Sequence, residues 1–127
     1  MPKEILVADD SRFQVALLTN ALQQNGFEVV VAQDACQAGM VALRTAPDAI
    51  VLDINMPGGS GIEVLKRLKR SRKTKGIPVV VASGTSDSGV REAAMELGVS
   101  KFLTKPVDLD QLCRVLSELC DRVKEPA

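Results

Sequence analysis

The chain has 127 residues, a length that fits one domain, and its 16 basic and 16 acidic side chains cancel. With 46% hydrophobic residues it can bury a core, about two thirds of the unfolded surface at this size, while its neutral balance gives no general pull towards nucleic acid or an anionic membrane. The absence of histidine excludes Ser-His-Asp, Cys-His and His-ligated metal chemistry, and three Phe without Trp or Tyr make no stacking platform for bases.

Apolar runs and helical patterns alternate along the chain. Strands are predicted at Glu4–Ala8, Phe27–Ala32, Ala49–Leu52 and Ile77–Ala82, short and rich in β-branched residues as buried parallel strands are, with a weaker fifth at Lys101–Thr104. The intervening helices are predicted at Ser11–Asn25, Asp34–Ala46, Ser60–Arg72, Asp87–Leu97 and Asp108–Val123. Ser11 with Gln14, Asp34 with Gln37, Ser60 with Glu63 and Asp108 with Gln111 have capping-box spacing or its Asp-led analogue. Gly26 and Gly98 stand where left-handed helix stops belong. The fourth helix has no single clear start, since Thr85-Ser86-Asp87-Ser88-Gly89 offers several caps, and it reads as the least firmly anchored element. In the fifth, Leu109, Leu112, Cys113, Leu116, Leu119, Cys120 and Val123 form one apolar stripe.

This alternation implies right-handed crossovers and an α/β fold, a single (βα)5 flavodoxin-like domain. Its five-stranded parallel sheet is expected in the order 2-1-3-4-5 with helices on both faces. The domain is expected to span residues 1–123, leaving 124–127 as a tail or the start of a linker. No apolar run approaches the ~20 residues of a membrane helix and no signal peptide opens the chain, so a cytoplasmic protein is expected. Cys36, Cys113 and Cys120 form neither an even framework nor a CxxC pair, and are expected to be buried, reduced thiols.

On this frame the chemistry gathers at one sheet edge. Asp9-Asp10 follow strand 1, Asp53 ends strand 3, Ser83 ends strand 4 and Lys105 ends strand 5. Three crowded carboxylates repel one another, so one stays protonated unless a cation intervenes. With only oxygen ligands on offer, that cation is a hard ion such as Mg²⁺. A carboxylate is also a nucleophile able to form an acyl phosphate, and phosphoryl transfer needs mainly alignment and charge neutralisation. The metal, Lys105 and the Ser83 hydroxyl would each take one phosphoryl oxygen, helped by backbone N–H groups of the Gly58–Gly61 loop or beside Gly84. Each residue alone has a plainer reading: Asp9 or Asp10 a polar strand end, Asp53 the opening of a turn, Ser83 a turn residue beside Gly84, Lys105 a surface lysine. Their joint order outweighs these readings. Lys105-Pro106 adds a place where a cis bond occurs and re-aims a side chain.

The acid pair in ILVADDS, the acceptor motif in VLDINMPGGSG, the hydroxyl in VVVASG and the KFLTKP ending together resemble a response-regulator receiver domain of two-component signalling, of the chemotaxis-regulator kind, from strand 1 to the last helix. The resemblance implies that Asp53 accepts a phosphoryl group from a sensor histidine kinase or histidine phosphotransfer protein. It implies that Asp10 binds Mg²⁺ directly, Asp9 mostly through water, and Asn55 through its backbone carbonyl, with Asp53 completing the metal set. Ser83 and Lys105 would hold the phosphoryl oxygens. Phe102 matches the aromatic switch position coupled to Ser83, against the plainer reading of a strand aromatic packed beside helix 4. Such a domain is a switch that assists its own phosphorylation and dephosphorylation rather than an enzyme acting on a separate substrate. Gly84 stands where alanine is common and Ser83 where threonine is frequent. Asn55 and Thr85 occupy positions that tune phosphoryl lifetime. Val107-Asp108-Leu109 replaces the Phe of winged-helix regulators, so their dimer is not expected.

The output divides the readings. One is a stand-alone switch docking the face of helix 4, strand 5 and helix 5 (the α4-β5-α5 face) on a partner. The other is the N-terminal receiver of a longer regulator. Neither involves direct nucleic-acid or membrane binding by this domain. From other classes, a flavodoxin-like cofactor binder would need a Ser/Thr/Gly-rich phosphate loop where Asp9-Asp10 stand, and an aspartyl hydrolase would begin DxDx where this chain has Asp53-Ile54-Asn55. Last, residues 66–75 hold seven cations (Lys66, Arg67, Lys69, Arg70, Arg72, Lys73, Lys75) at the end of helix 3. They read as a solvated turn favourable to the helix dipole, or as a docking patch for an acidic partner.

Overall fold

A computed structural model describes residues 2–56, 59–84 and 88–123. Five strands, β1 (Glu4–Ala8), β2 (Glu28–Ala32), β3 (Ala49–Asp53), β4 (Val79–Ser83) and β5 (Lys101–Thr104), form one parallel sheet in the order 2-1-3-4-5. Helices α1 (Arg12–Gln24), α2 (Ala35–Thr45), α3 (Gly61–Arg70), α4 (Ser88–Glu96) and α5 (Leu109–Val123) connect them. The expected flavodoxin-like topology is therefore present. A short antiparallel ladder pairs Asn55 with Ser60 and Met56 with Gly59 just after β3.

Alternation along each strand divides the core. Leu6, Ala8, Ile50, Leu52, Val79 and Val81 face one side, beneath α2, α3 and α4. Ile5, Val7, Ala49, Val51, Val80 and Ala82 face the other, with Leu18 and Leu22 of α1 and Leu112, Cys113, Leu116 and Cys120 of α5. A fully buried Leu of this kind contributes about 1.5–3 kcal/mol.

The helix starts follow the capping pattern: Ser11, Asp34, Ser60 and Asp108 accept the N–H groups of Gln14, Gln37, Glu63 and Gln111 at 3.2, 2.8, 3.2 and 3.0 Å. Gly26 and Gly98, both at φ 86°, end α1 and α4. Phe27 N–H reaches Leu22 O and Gly26 N–H reaches Gln23 O, which closes the helix and leaves Phe27 outside β2. Ala46 ends α2 at φ 45° although it carries a Cβ, because Pro47 bars the residue before it from continuing the helix.

Other boundaries shift by a residue or two. Strands β3 and β4 run on into Asp53 and Ser83, since ladder hydrogen bonding outlasts the apolar run. Helix α3 stops at Arg70, so Arg72, Lys73 and Lys75 lie in the following turn rather than on the helix. The expected caps of α4 at Thr85-Ser86-Asp87, the loop residues Pro57 and Gly58, and the tail 124–127 lie outside the described residues. One expectation fails: Cys36 is exposed. The buried stripe of α2 is Ala35, Ala38, Gly39 and Ala42, and Cys36 sits on the opposite side with Met40. Cys113 and Cys120 are buried as expected.

Candidate functional site

The carboxyl ends of β1, β3, β4 and β5 bring Asp9, Asp10, Asp53, Ser83 and Lys105 to one edge of the sheet, at the β1/β3 point where the strand order reverses and open α/β sheets bind ligands. Asp9 (3% exposed), Asp53 (5%) and Ser83 (0%) are buried, while Asp10 is exposed at the rim. Carboxylate oxygens of Asp9, Asp10 and Asp53 lie within 4.8 Å of one another.

Each acid has a local anchor. Asp9 Oδ1 accepts the Ser11 N–H at 2.9 Å, and Asp53 Oδ1 accepts the Asn55 N–H at 3.1 Å. The other oxygens face Lys105, whose Nζ lies 3.0 Å from Asp9 Oδ2 and 3.5 Å from Asp53 Oδ2. Lys105 thus partly offsets the crowding of the two buried acids. The Lys105–Pro106 peptide is cis, and the Lys105 N–H donates to Ser83 O at 2.8 Å, tying the ends of β4 and β5 together. Burial nonetheless pushes the Asp53 carboxyl above its ordinary value. The Asn55 N–H and then Lys105 pull it back, and Asp9 adds to the rise.

Three acids sharing so small a space, with oxygen as the only donor atom, fit a small hard divalent cation. Asp10 at the rim leaves room for water in such a coordination shell.

Two features behind Asp53 are not legible in the sequence. The Gly61 N–H donates to Ile54 O at 2.8 Å, so it is spent on holding the loop after Asp53 and is not available to a phosphoryl oxygen. A Cβ on Gly61 would stand 2.6 Å from Ile54 Cα and 3.0 Å from Asp53 O. Glycine is therefore required where α3 starts against the backbone carrying Asp53, and only the GGSG run hinted at it. Gly84, by contrast, has open space around a notional Cβ, so an alanine would fit there. Phe102 (8% exposed) packs in the core cluster with Val90, Ala94 and Leu97 of and after α4, under the Arg91 guanidinium, 5.7 Å from the ring centre.

The response regulator receiver domain model matches residues 5–117. The chain belongs to that family. It is 42% identical over 108 residues to response regulator PleD of Caulobacter vibrioides, covering 85% of this chain and 24% of PleD. It is 34% identical over all 127 residues to the phosphate regulon transcriptional regulatory protein PhoB of Escherichia coli, covering 56% of PhoB. The receiver domain of the Francisella response regulator 1452 superposes with a TM-score of 0.88 at 29% identity, covering 96% of this chain and 99% of that one. The receiver therefore spans from about a quarter to about half the length of these curated relatives. Receiver domains are signalling switches that respond to phosphorylation. Among the described residues no helix is long and apolar enough to cross a membrane.

Proposed function

We propose that this chain is a cytoplasmic phosphorylation-dependent switch in which Asp53 accepts a phosphoryl group from a sensor histidine kinase or histidine phosphotransfer protein. The observation that carries this reading is the buried Asp53 carboxylate, within 4.8 Å of two further acids and bridged to Asp9 by Lys105. In the transfer, an Asp53 oxygen forms a bond to phosphorus while the bond from phosphorus to the donor's imidazole nitrogen breaks and its electron pair returns to the ring. The product is an acyl phosphate on Asp53.

Little covalent work falls to the protein, so alignment and charge neutralisation dominate. Asp9, Asp10, Asp53 and the backbone carbonyl of Asn55 would hold Mg²⁺, which supplies positive charge against the phosphoryl oxygens. Lys105 is already at the acceptor, and on phosphorylation it would give up part of its contact with Asp9 to take a phosphoryl oxygen. The Ser83 hydroxyl would take another. Because Ser83 pairs in register with Thr104 on β5, its movement reaches Phe102 two residues away and, through it, α4. The α4-β5-α5 face then shifts between inactive and active states. By the same groups the domain assists its own phosphorylation and dephosphorylation. The greater length of the curated relatives favours output through a further domain over docking of this face on a separate partner.

Intact mass after incubation with acetyl phosphate, with and without Mg²⁺, tests the reading. One metal-dependent, hydroxylamine-labile adduct, lost in Asp53→Asn, is expected. An adduct of equal yield without metal, or one retained in Asp53→Asn, would refute it.

A further inference from the structure

The seven cations of residues 66–75 occur without a single anion, so the remainder of this neutral chain is net negative. They also lie at the end of the molecule remote from the acceptor. Helix α3 starts beside Asp53 and finishes at Arg70, and the turn that follows feeds the amino end of β4, while Ser83 ends that strand at the site edge. Lys66 is engaged by Glu63 at 3.7 Å and Arg67 lies against Gly39 of α2. Arg70, Arg72, Lys73 and Lys75 are exposed and, among the described residues, take part in no ion pair.

The turn that presents them is built, not slack. Thr74, 1% exposed, donates its hydroxyl to Leu68 O at 2.6 Å. The N–H groups of Thr74 and Lys75 donate to Ser71 O at 3.2 and 2.8 Å, and that of Ile77 donates to Thr74 O at 3.0 Å. Lys69 folds back towards Lys75 O at 3.5 Å. The helix-dipole effect falls off within the last turn, whereas three of these four unpaired cations, Arg72, Lys73 and Lys75, lie beyond α3 on the hydrogen-bonded turn.

We propose that this basic pole docks a compact carboxylate-rich segment of a partner protein. Charge complementarity carries the choice. A long polyanion such as duplex DNA, or an anionic bilayer, would extend past the pole and meet the net negative remainder of the molecule, whereas a short acidic segment would not. The segment also lacks aromatics for base stacking, and the exposed large apolar side chains lie elsewhere, on α1, β2, α2 and α4.

The test is fluorescence anisotropy of a labelled Glu-rich peptide on the full chain, at low and at high salt. Salt-sensitive binding is expected, weakened about tenfold or more by Arg70→Glu/Lys73→Glu and, by a smaller factor, by the neutral pair Arg70→Gln/Lys73→Gln. It should be unchanged in Asp53→Asn at the same ionic strength, so this surface stands or falls separately from the phosphoacceptor. No binding, equal binding by both folded double variants, or tighter binding of duplex DNA or of phosphatidylglycerol vesicles at the same salt would overturn the proposal, as would salt-sensitive self-association that competes the peptide away.

Discussion

The two ends of the sheet handle charge in opposite ways. At the carboxyl end Asp9 and Asp53 are buried, and Lys105 is 23% exposed and in contact with both. At the amino end Arg70, the last residue of α3, and Arg72, Lys73 and Lys75 on the following turn stand in solvent, and the only buried polar side chain of that turn is Thr74. Coulomb interactions gain several-fold where water is excluded and are screened where it is not. Buried charge is therefore coupled tightly enough to do chemistry but costs stability when a partner is lost. Exposed charge costs the fold little and is left for steering and docking.

Substitutions at each end should divide along this line. The largest effect is expected from Lys105→Met, which removes the cation facing two buried acids. Breaking a fully buried pair costs about 3–5 kcal/mol, and partial exposure of Lys105 should reduce this to about 2 kcal/mol. Urea unfolding in EDTA measures the loss, and Mg²⁺ should restore much of it. Next is Gly61→Ala, where the new Cβ collides with backbone at Ile54. Overpacking of about 1–3 kcal/mol is expected, together with slower acetyl phosphate labelling, because the displaced backbone carries Asp53. Labelling at the wild-type rate would show that the acceptor tolerates the shift.

At the amino end, Thr74→Val should cost about 1–2 kcal/mol by leaving the Leu68 carbonyl without its hydroxyl donor, with labelling at Asp53 unaffected. The smallest effect at neutral pH is expected at Cys120, a buried thiol that burial, helped by Asp48, pushes up to about 11. A thiol whose folded value exceeds its unfolded one holds its proton more firmly in the fold. Its contribution is therefore complete below about pH 9 and declines as pH rises towards 11. Thermal melts across that range should fall less steeply for Cys120→Val than for the parent chain, and parallel curves would remove the thiol from the account. Exposed Cys36 should react with a thiol reagent before either buried cysteine.

Much of this was legible because local signals agreed with the topology. Four caps and two glycine stops bounded the helices by side-chain-to-backbone hydrogen bonding alone, which needs no tertiary context. The meeting of the acids followed once strand order was inferred, since parallel strands deliver their carboxyl ends to one edge. What escaped depends on neighbours distant in sequence. Cys36 reads as a core thiol by residue type, yet α2 buries only its small-residue side against the sheet. Lys105 reads as a phosphoryl ligand, and nothing in the chain says that it already contacts Asp9 and Asp53. The need for glycine at 61 lies in the approach of α3 to Ile54, and the bracing of the basic turn lies in a Thr74 hydroxyl that resembles any other threonine in the sequence.

The central claim is that one carboxylate among three takes the phosphoryl group. Borohydride reduction of the acetyl phosphate product converts an aspartyl phosphate to homoserine, and peptide mass mapping then reports the position. Homoserine at 53 alone, formed only with Mg²⁺, is the expected result. Homoserine at 9, at 10 or at any other acid, or none in the folded protein with Mg²⁺ present, would contradict it.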